Sequence, residues 1–253
     1  MSGHNKWSTI KHKKGAADAK RGKVFSRMGK EITMAAREGG GDADLNPRLR
    51  SAVAAAKSVN MPNDNVERAI KKGTGELVGD ILVELNYEGY APGGVAVIVN
   101  CLSDNRNRTA ADVRMMFTKY NCNMANSGAV SWMFHRKAQF IVQGADANED
   151  KLFEVLLEND VDVEDIQIED ETAEIIAAPE AFASVLEALE KAQITVSESS
   201  VTMVPENTNE VTDVGAARSV LKFIEILEDH EDVQQVYSNL DISDALMQQL
   251  ADE

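Results

Sequence analysis

The feature that most constrains the fold is the order of apolar segments between residues 137 and 204. Residues 138–142 read as a strand. Residues 149–158 follow as a helix, with Leu152, Phe153, Leu156 and Leu157 recurring at helical steps. Residues 161–168 and 172–177 read as two strands joined by acidic turn residues. Pro179 opens a second helix to about residue 192, and 194–204 is a last strand. The order β-α-β-β-α-β is that of a ferredoxin-like unit.

The stretches on either side are each too small for a sheet domain. Upstream, 81–87 reads as a strand, 89–94 as a turn and 95–101 as an apolar, β-branched central strand. Thr109 is placed to cap a helix over 110–120, and 129–134 reads as another strand. Downstream come a strand near 210–212, a helix over 215–229 with Val220, Phe223, Ile224 and Leu227 inward, and a strand over 233–237. Residues 78–135 and 206–245 are therefore expected to pair as one discontinuous α/β domain, with 136–205 inserted into it.

Residues 16–77 have helical period. A helix over 16–38 places Phe25, Met28, Ile32 and Ala36 on one side and Lys20, Lys23, Arg27, Lys30 and Arg37 on the other. Glycines 39–41 end it. Asn46-Pro47 caps and opens a helix over 47–59. The spacing Asp64 to Glu67 suggests a capping box for a third helix, stopped at Gly73. Residues 1–15 show no apolar periodicity and read as a flexible basic arm. The expected fold class is α+β in three domains: an N-terminal helical domain, a discontinuous α/β domain and an inserted ferredoxin-like βαββαβ domain.

Charge decides the functional reading. The chain is −16, yet residues 1–30 hold nine Lys or Arg against one acid, Asp18. Residues 1–77 total +8, 78–137 total +1 and 138–253 total −25. An acidic chain with so concentrated a basic end suits a polyanion, because neutralised phosphates release counterions. Candidate nucleic-acid contacts are Lys6, Trp7, Lys11, His12, Lys13, Lys14, Lys20, Arg21, Lys23, Arg27, Lys30, Arg48 and Arg50. Trp7 reads equally as an anchor holding the arm to its own protein and as a base stacker. Arg106, Arg108 and Thr109 sit where a strand meets a helix and form a candidate anion site. The other reading of these arginines is pairing with local acids. The acidic segments read as solvated faces, with a protein partner as the alternative.

No phosphate-binding loop, G-x-S-x-G, H-E-x-x-H or Cys/His metal cluster occurs in the sequence, so no enzyme, cofactor or metal is expected. No apolar run approaches the roughly 20 residues that span a bilayer, and the N-terminus shows no apolar h-region. A cytoplasmic location with Cys101 and Cys122 as free thiols is the expectation, with no membrane partner.

Five motifs carry a resemblance: Gly3-His4-Asn5-Lys6-Trp7; Asp18-Ala-Lys-Arg-Gly-Lys-Val-Phe25; Gly39-Gly-Gly-Asp42 with Asn46-Pro-Arg-Leu-Arg50; Tyr87-Glu-Gly-Tyr90 with Pro92-Gly-Gly94; and Cys101-Leu-Ser-Asp-Asn-Arg-Asn-Arg-Thr109. Asp232-Val-Gln-Gln-Val-Tyr237 adds a C-terminal match. Over nearly its whole length the chain resembles the YebC/PmpR family, whose mitochondrial members are translational activators of a cytochrome oxidase subunit. The resemblance implies the three-domain organisation above and a non-enzymatic regulator of gene expression. Members carry the label of probable DNA-binding transcriptional regulators, and others look like ribosome-associated translation factors. Promoter DNA and ribosomal RNA or the ribosome therefore both stand as expected ligands.

Overall fold

The structure, a computed structural model, describes residues 19–169 and 171–251. Three helices come first: α1 (Ala19–Gly39), α2 (Pro47–Ser58) and α3 (Asn63–Gly73). They enclose a small core centred on Ile32, Ala35, Leu49, Ala56 and Val66. Asn46 joins two of them. Its Oδ1 accepts from the Leu49 N–H (3.1 Å), capping α2, while its Nδ2 donates to the carbonyls of Ala35 (2.8 Å) and Gly40 (2.9 Å), closing α1. The capping box expected at Asp64 is not formed. Pro62 is the N-cap, without a side-chain bond, and Asp64 lies in the first turn, favourably placed for the helix dipole. Gly73 lets the end of α3 touch α1, since a Cβ there would lie 2.4 Å from the Thr33 carbonyl oxygen.

Next come β1 (Val83–Ala91), β2 (Val95–Ser103), α4 (Arg106–Lys119) and β3 (Asn123–Ala125). Then follow β4 (Phe134–Gln143), α5 (Glu149–Glu158), β5 (Asp165–Glu169), β6 (Thr172–Ala177), α6 (Phe182–Lys191) and β7 (Val196–Pro205). The chain ends with β8 (Asn209–Glu210), α7 (Val214–Glu228), β9 (Val233–Ser238), β10 (Leu240–Asp241) and α8 (Asp244–Ala251). One sheet has the order β3-β1-β2-β9 and another β5-β6-β4-β7. In the second, all three pairings are antiparallel, and α5 and α6 close one face over Phe140, Leu152, Leu156, Ile175 and Leu189. That is the ferredoxin-like unit. In the first sheet, β2 pairs with β9 from Val97↔Ser238 to Cys101↔Val233, so chain segments on either side of the ferredoxin-like unit share one sheet. Helices α4 and α7 cover it, with Phe117 and Phe223 meeting edge-on at 4.8 Å. The chain is thus α+β in three domains, helical, discontinuous α/β and inserted ferredoxin-like.

Two further expectations, both about strands, fail for identifiable reasons. Strand β1 extends to Ala91, and the turn is confined to Pro92–Gly94, where Gly93 and Gly94 both have φ 78°. Gly89 is therefore inside a strand. It is small because a Cβ there would lie 2.4 Å from both the Asn123 carbonyl oxygen and Phe117 Cε1. Residues 129–133 are also no strand. A 3₁₀ turn spans Ser131–Met133 and the strand starts at Phe134. The buried Glu88 carboxylate draws the N–H groups of Gly128 (2.8 Å), Val130 (2.8 Å) and Ser131 (2.9 Å) to itself, so they join no ladder.

Candidate nucleic-acid interface

The basic face of α1 opposes its core face, as the sequence predicts, but solvent does not receive all of it. Lys23 Nζ donates to the Asp229 carbonyl (3.0 Å). Lys30 Nζ donates to the Glu231 carbonyl (3.1 Å) and to Asp232 Oδ1 (2.5 Å). Asp232 is fully buried. Its carboxylate also accepts from Thr109 Oγ1 (2.8 Å), Arg108 Nη2 (3.0 Å) and Ser103 Oγ (3.3 Å). Burial pushes the Asp232 carboxyl up, but the bonds from Lys30, Thr109 and Arg108 outweigh it and hold the group at about 2. One carboxylate thereby fastens α1, the end of β2 and the start of α4 to the turn before β9.

This geometry changes the reading of the candidate anion site. Thr109 is not the helix cap. Asn105 is, accepting from the Arg108 N–H at 3.1 Å, so Arg106, Arg108 and Thr109 all lie within the first turns of α4. Arg108 and Thr109 face the chain's own Asp232, and Arg108 also pairs with Asp104 at 2.7 Å. Arg106 is exposed, with no hydrogen bond or ion pair among the described residues.

Arg48 likewise faces inward charge. Its guanidinium pairs with Glu31 (2.8 Å), Glu38 (2.6 Å) and Glu84 (2.9 Å), tying α2 to α1 and to β1. Lys30 and Arg48 are therefore clamps between elements. The guanidinium groups of Arg27, between Lys23 and Lys30 on the same face, and of the exposed Arg50 have no hydrogen bond or ion pair among the described residues. Lys20 and Arg21 lie in the first turn of α1. Lys6, Trp7, Lys11, His12, Lys13 and Lys14 fall outside the described residues. Lys57, Arg68, Lys71 and Lys72, which the sequence reading did not select, are exposed on α2 and α3. The helical domain thus exposes Arg50, Lys57, Arg68, Lys71 and Lys72, interspersed with the exposed acids Asp42, Asp44, Asp64, Glu67 and Glu76.

Asp232 and Glu88 are the organising residues that sequence reasoning missed. Asp232 meets partners 123 to 202 residues away, and no local pattern announces such a contact. Glu88 carries a weak signal: an acid within a strand whose neighbours are apolar or glycine. Burial raises its carboxyl, and the N–H groups of Gly128, Val130 and Ser131 together bring it below the usual range. Among the described residues, no group of three or more His, Cys, Asp or Glu side chains is placed to hold a metal ion. No helix among them is long and apolar enough to cross a membrane.

A three-domain α+β chain with a basic helical end and a ferredoxin-like insertion has known relatives. The family model described as TACO1/YebC protein N-terminal domain matches residues 5–76, and that for the TACO1/YebC second and third domain matches residues 82–240. The chain belongs to the TACO1/YebC family. It is 54% identical over 253 residues, all of both chains, to a protein of Desulfotalea psychrophila named "probable transcriptional regulatory protein". A Geobacter sulfurreducens protein of the same description is 56% identical over 250 residues, 99% of this chain and 100% of that one. The crystal structure of a conserved hypothetical protein from Aquifex aeolicus superposes with a TM-score of 0.76 at 45% identity, covering 90% of this chain and 93% of that one.

Proposed function

We propose that this chain is a non-enzymatic, cytoplasmic regulator of gene expression that binds nucleic acid through its basic N-terminal part, with promoter DNA as the ligand its relatives' name favours. One observation carries the reading: residues 1–30 are +8 in a chain of −16. Such segregation gives a phosphate backbone one favourable approach and makes the ferredoxin-like domain repel it. The anchoring of α1 supports this. With Lys23 and Lys30 held by the 229–232 turn, the basic segment leaves from a fixed base rather than a swinging helix. In this reading Lys6, Trp7, Lys11, His12, Lys13, Lys14, Lys20, Arg21, Arg27 and Arg50 meet the ligand. Lys23, Lys30 and Arg48 serve the frame.

The test is fluorescence anisotropy with a duplex promoter fragment and with a ribosomal RNA fragment of equal length, between about 50 and 200 mM salt. Affinity should fall steeply with salt. The Lys11→Gln, Lys13→Gln, Lys14→Gln variant should flatten the log–log slope by about one unit per lost phosphate contact. An unchanged slope removes the arm from the interface. Preference for the RNA at every salt concentration moves the reading from transcription to translation.

A further inference from the structure

The loop before β4 presents a tryptophan to solvent on a backbone with little freedom. Glu88 holds the N–H groups of Gly128, Val130 and Ser131. From the same strand, Tyr90 Oη donates to the Ala129 carbonyl at 3.2 Å. Trp132 Nε1 donates to that same carbonyl at 3.1 Å, so the polar edge of the indole is tied down. Val130 and Phe134 on either side are buried at 0% and 4% exposure, yet Trp132 is 64% exposed. A chain with two tryptophans leaves this one wet, with its orientation set by the loop.

Of the six Lys or Arg in residues 106–137, four lie on α4 over the other face of the sheet, which leaves Arg136 and Lys137 as the cations on the Trp132 side. Four residues past Trp132, Arg136 is exposed; its guanidinium has no hydrogen bond or ion pair among the described residues and lies within electrostatic reach of Tyr237. Its neighbours His135 and Lys137 face Glu206 (3.6 Å) and Glu164 (2.6 Å).

We propose that Trp132 is a stacking platform for an unpaired nucleobase, a second nucleic-acid contact separate from the basic N-terminal part, with Arg136 supplying positive charge for the adjoining phosphate. The proposal rests on the nucleic-acid reading above. A ring already fixed by its edge loses little side-chain freedom on stacking, and base–aromatic stacking tolerates any base. Duplex DNA offers no free base face, so this contact discriminates for single-stranded or looped ligand.

The experiment uses the full chain carrying Trp7→Phe, in which Trp132 is the sole tryptophan, titrated with a single-stranded oligothymidine and with a duplex of equal length. Expected is quenching of Trp132 fluorescence by the single strand. Adding Trp132→Ala should weaken single-strand affinity, read from the anisotropy of a labelled strand, by about 5-fold or more with an unchanged salt slope, while Trp132→Phe recovers most of it. If Trp132→Ala binds the single strand as tightly as its parent while salt-dependent binding persists, the platform is wrong and the nucleic-acid reading survives. If the wild-type chain binds neither ligand at low salt, both fail. If sedimentation velocity shows a parent dimer that Trp132→Ala dissociates, with no change in affinity, the ring packs between copies and the proposal is overturned.

Discussion

Replacing Asp232 with asparagine removes the charge on which α1, β2 and α4 converge. The magnitude follows from the carboxyl's displacement from 3.8 to about 2. At about 1.4 kcal/mol per pKa unit, that is roughly 2 kcal/mol of folding stability near neutral pH. The folded-state value is depressed, so this stability is fully present above about pH 4 and is lost as pH falls through about 2. The exposure of Lys30 is 17% and that of Asp232 is 0%, so the lysine left behind can rehydrate. The loss in Asp232→Asn should therefore stay below the roughly 3–5 kcal/mol typical of breaking a fully buried pair. The assay is urea unfolding of wild type and Asp232→Asn across that acid range. The gap should be roughly 2 kcal/mol near neutrality and should close towards pH 2. A double-mutant cycle with Lys30→Met should show a coupling of about 1 kcal/mol or more. A gap that stays constant through the acid range, or additivity within about 0.5 kcal/mol, would refute the argument that this carboxylate is the latch between the helical and α/β domains.

Glu88→Ala leaves three loop N–H donors without their acceptor, and stability should drop by about 2 kcal/mol, with faster amide exchange at Gly128, Val130 and Ser131 in hydrogen–deuterium exchange. Gly89→Ala forces a Cβ against the Asn123 carbonyl and Phe117, and calorimetry should show a loss of about 1–3 kcal/mol. Arg48→Met should lower the unfolding midpoint and leave the salt slope of nucleic-acid binding unchanged, because its guanidinium is engaged by Glu31, Glu38 and Glu84. Arg50→Gln should do the reverse, flattening the slope by about one unit at constant stability.

Periodicity and punctuation made most of the fold legible. Asn46-Pro47 opened a helix where expected, and the βαββαβ order was readable because each of its elements has its own apolar stripe. The failures lie where a distant side chain competes for the backbone. Residues 129–134 have the composition of a strand, but Glu88, some 40 positions earlier, takes their N–H groups. Thr109 looks like a cap, yet its hydroxyl turns inward to Ser103 (2.7 Å) and Asp232, and Asn105 caps instead. The charge stripe of α1 was correct as a stripe. What the sequence could not reveal is that Lys23 and Lys30 meet a turn some 200 residues away, since that contact depends on β2 and β9 sharing a sheet. Trp132 escaped notice for a related reason, because a strand reading gives no cause to expect its side chain in solvent.

The central claim is that nucleic acid meets the basic end of the chain. Ultraviolet cross-linking of the full-length protein to labelled DNA and RNA at near-physiological salt, with the modified peptides identified by mass spectrometry, tests it most directly. Cross-linked peptides should come from residues 1–30, from the segment around Arg50 and, with unpaired ligand, from the loop around Trp132, and not from the acidic part of the ferredoxin-like domain between α5 and β7. Cross-links concentrated on that acidic domain, or none with either nucleic acid, would contradict the account.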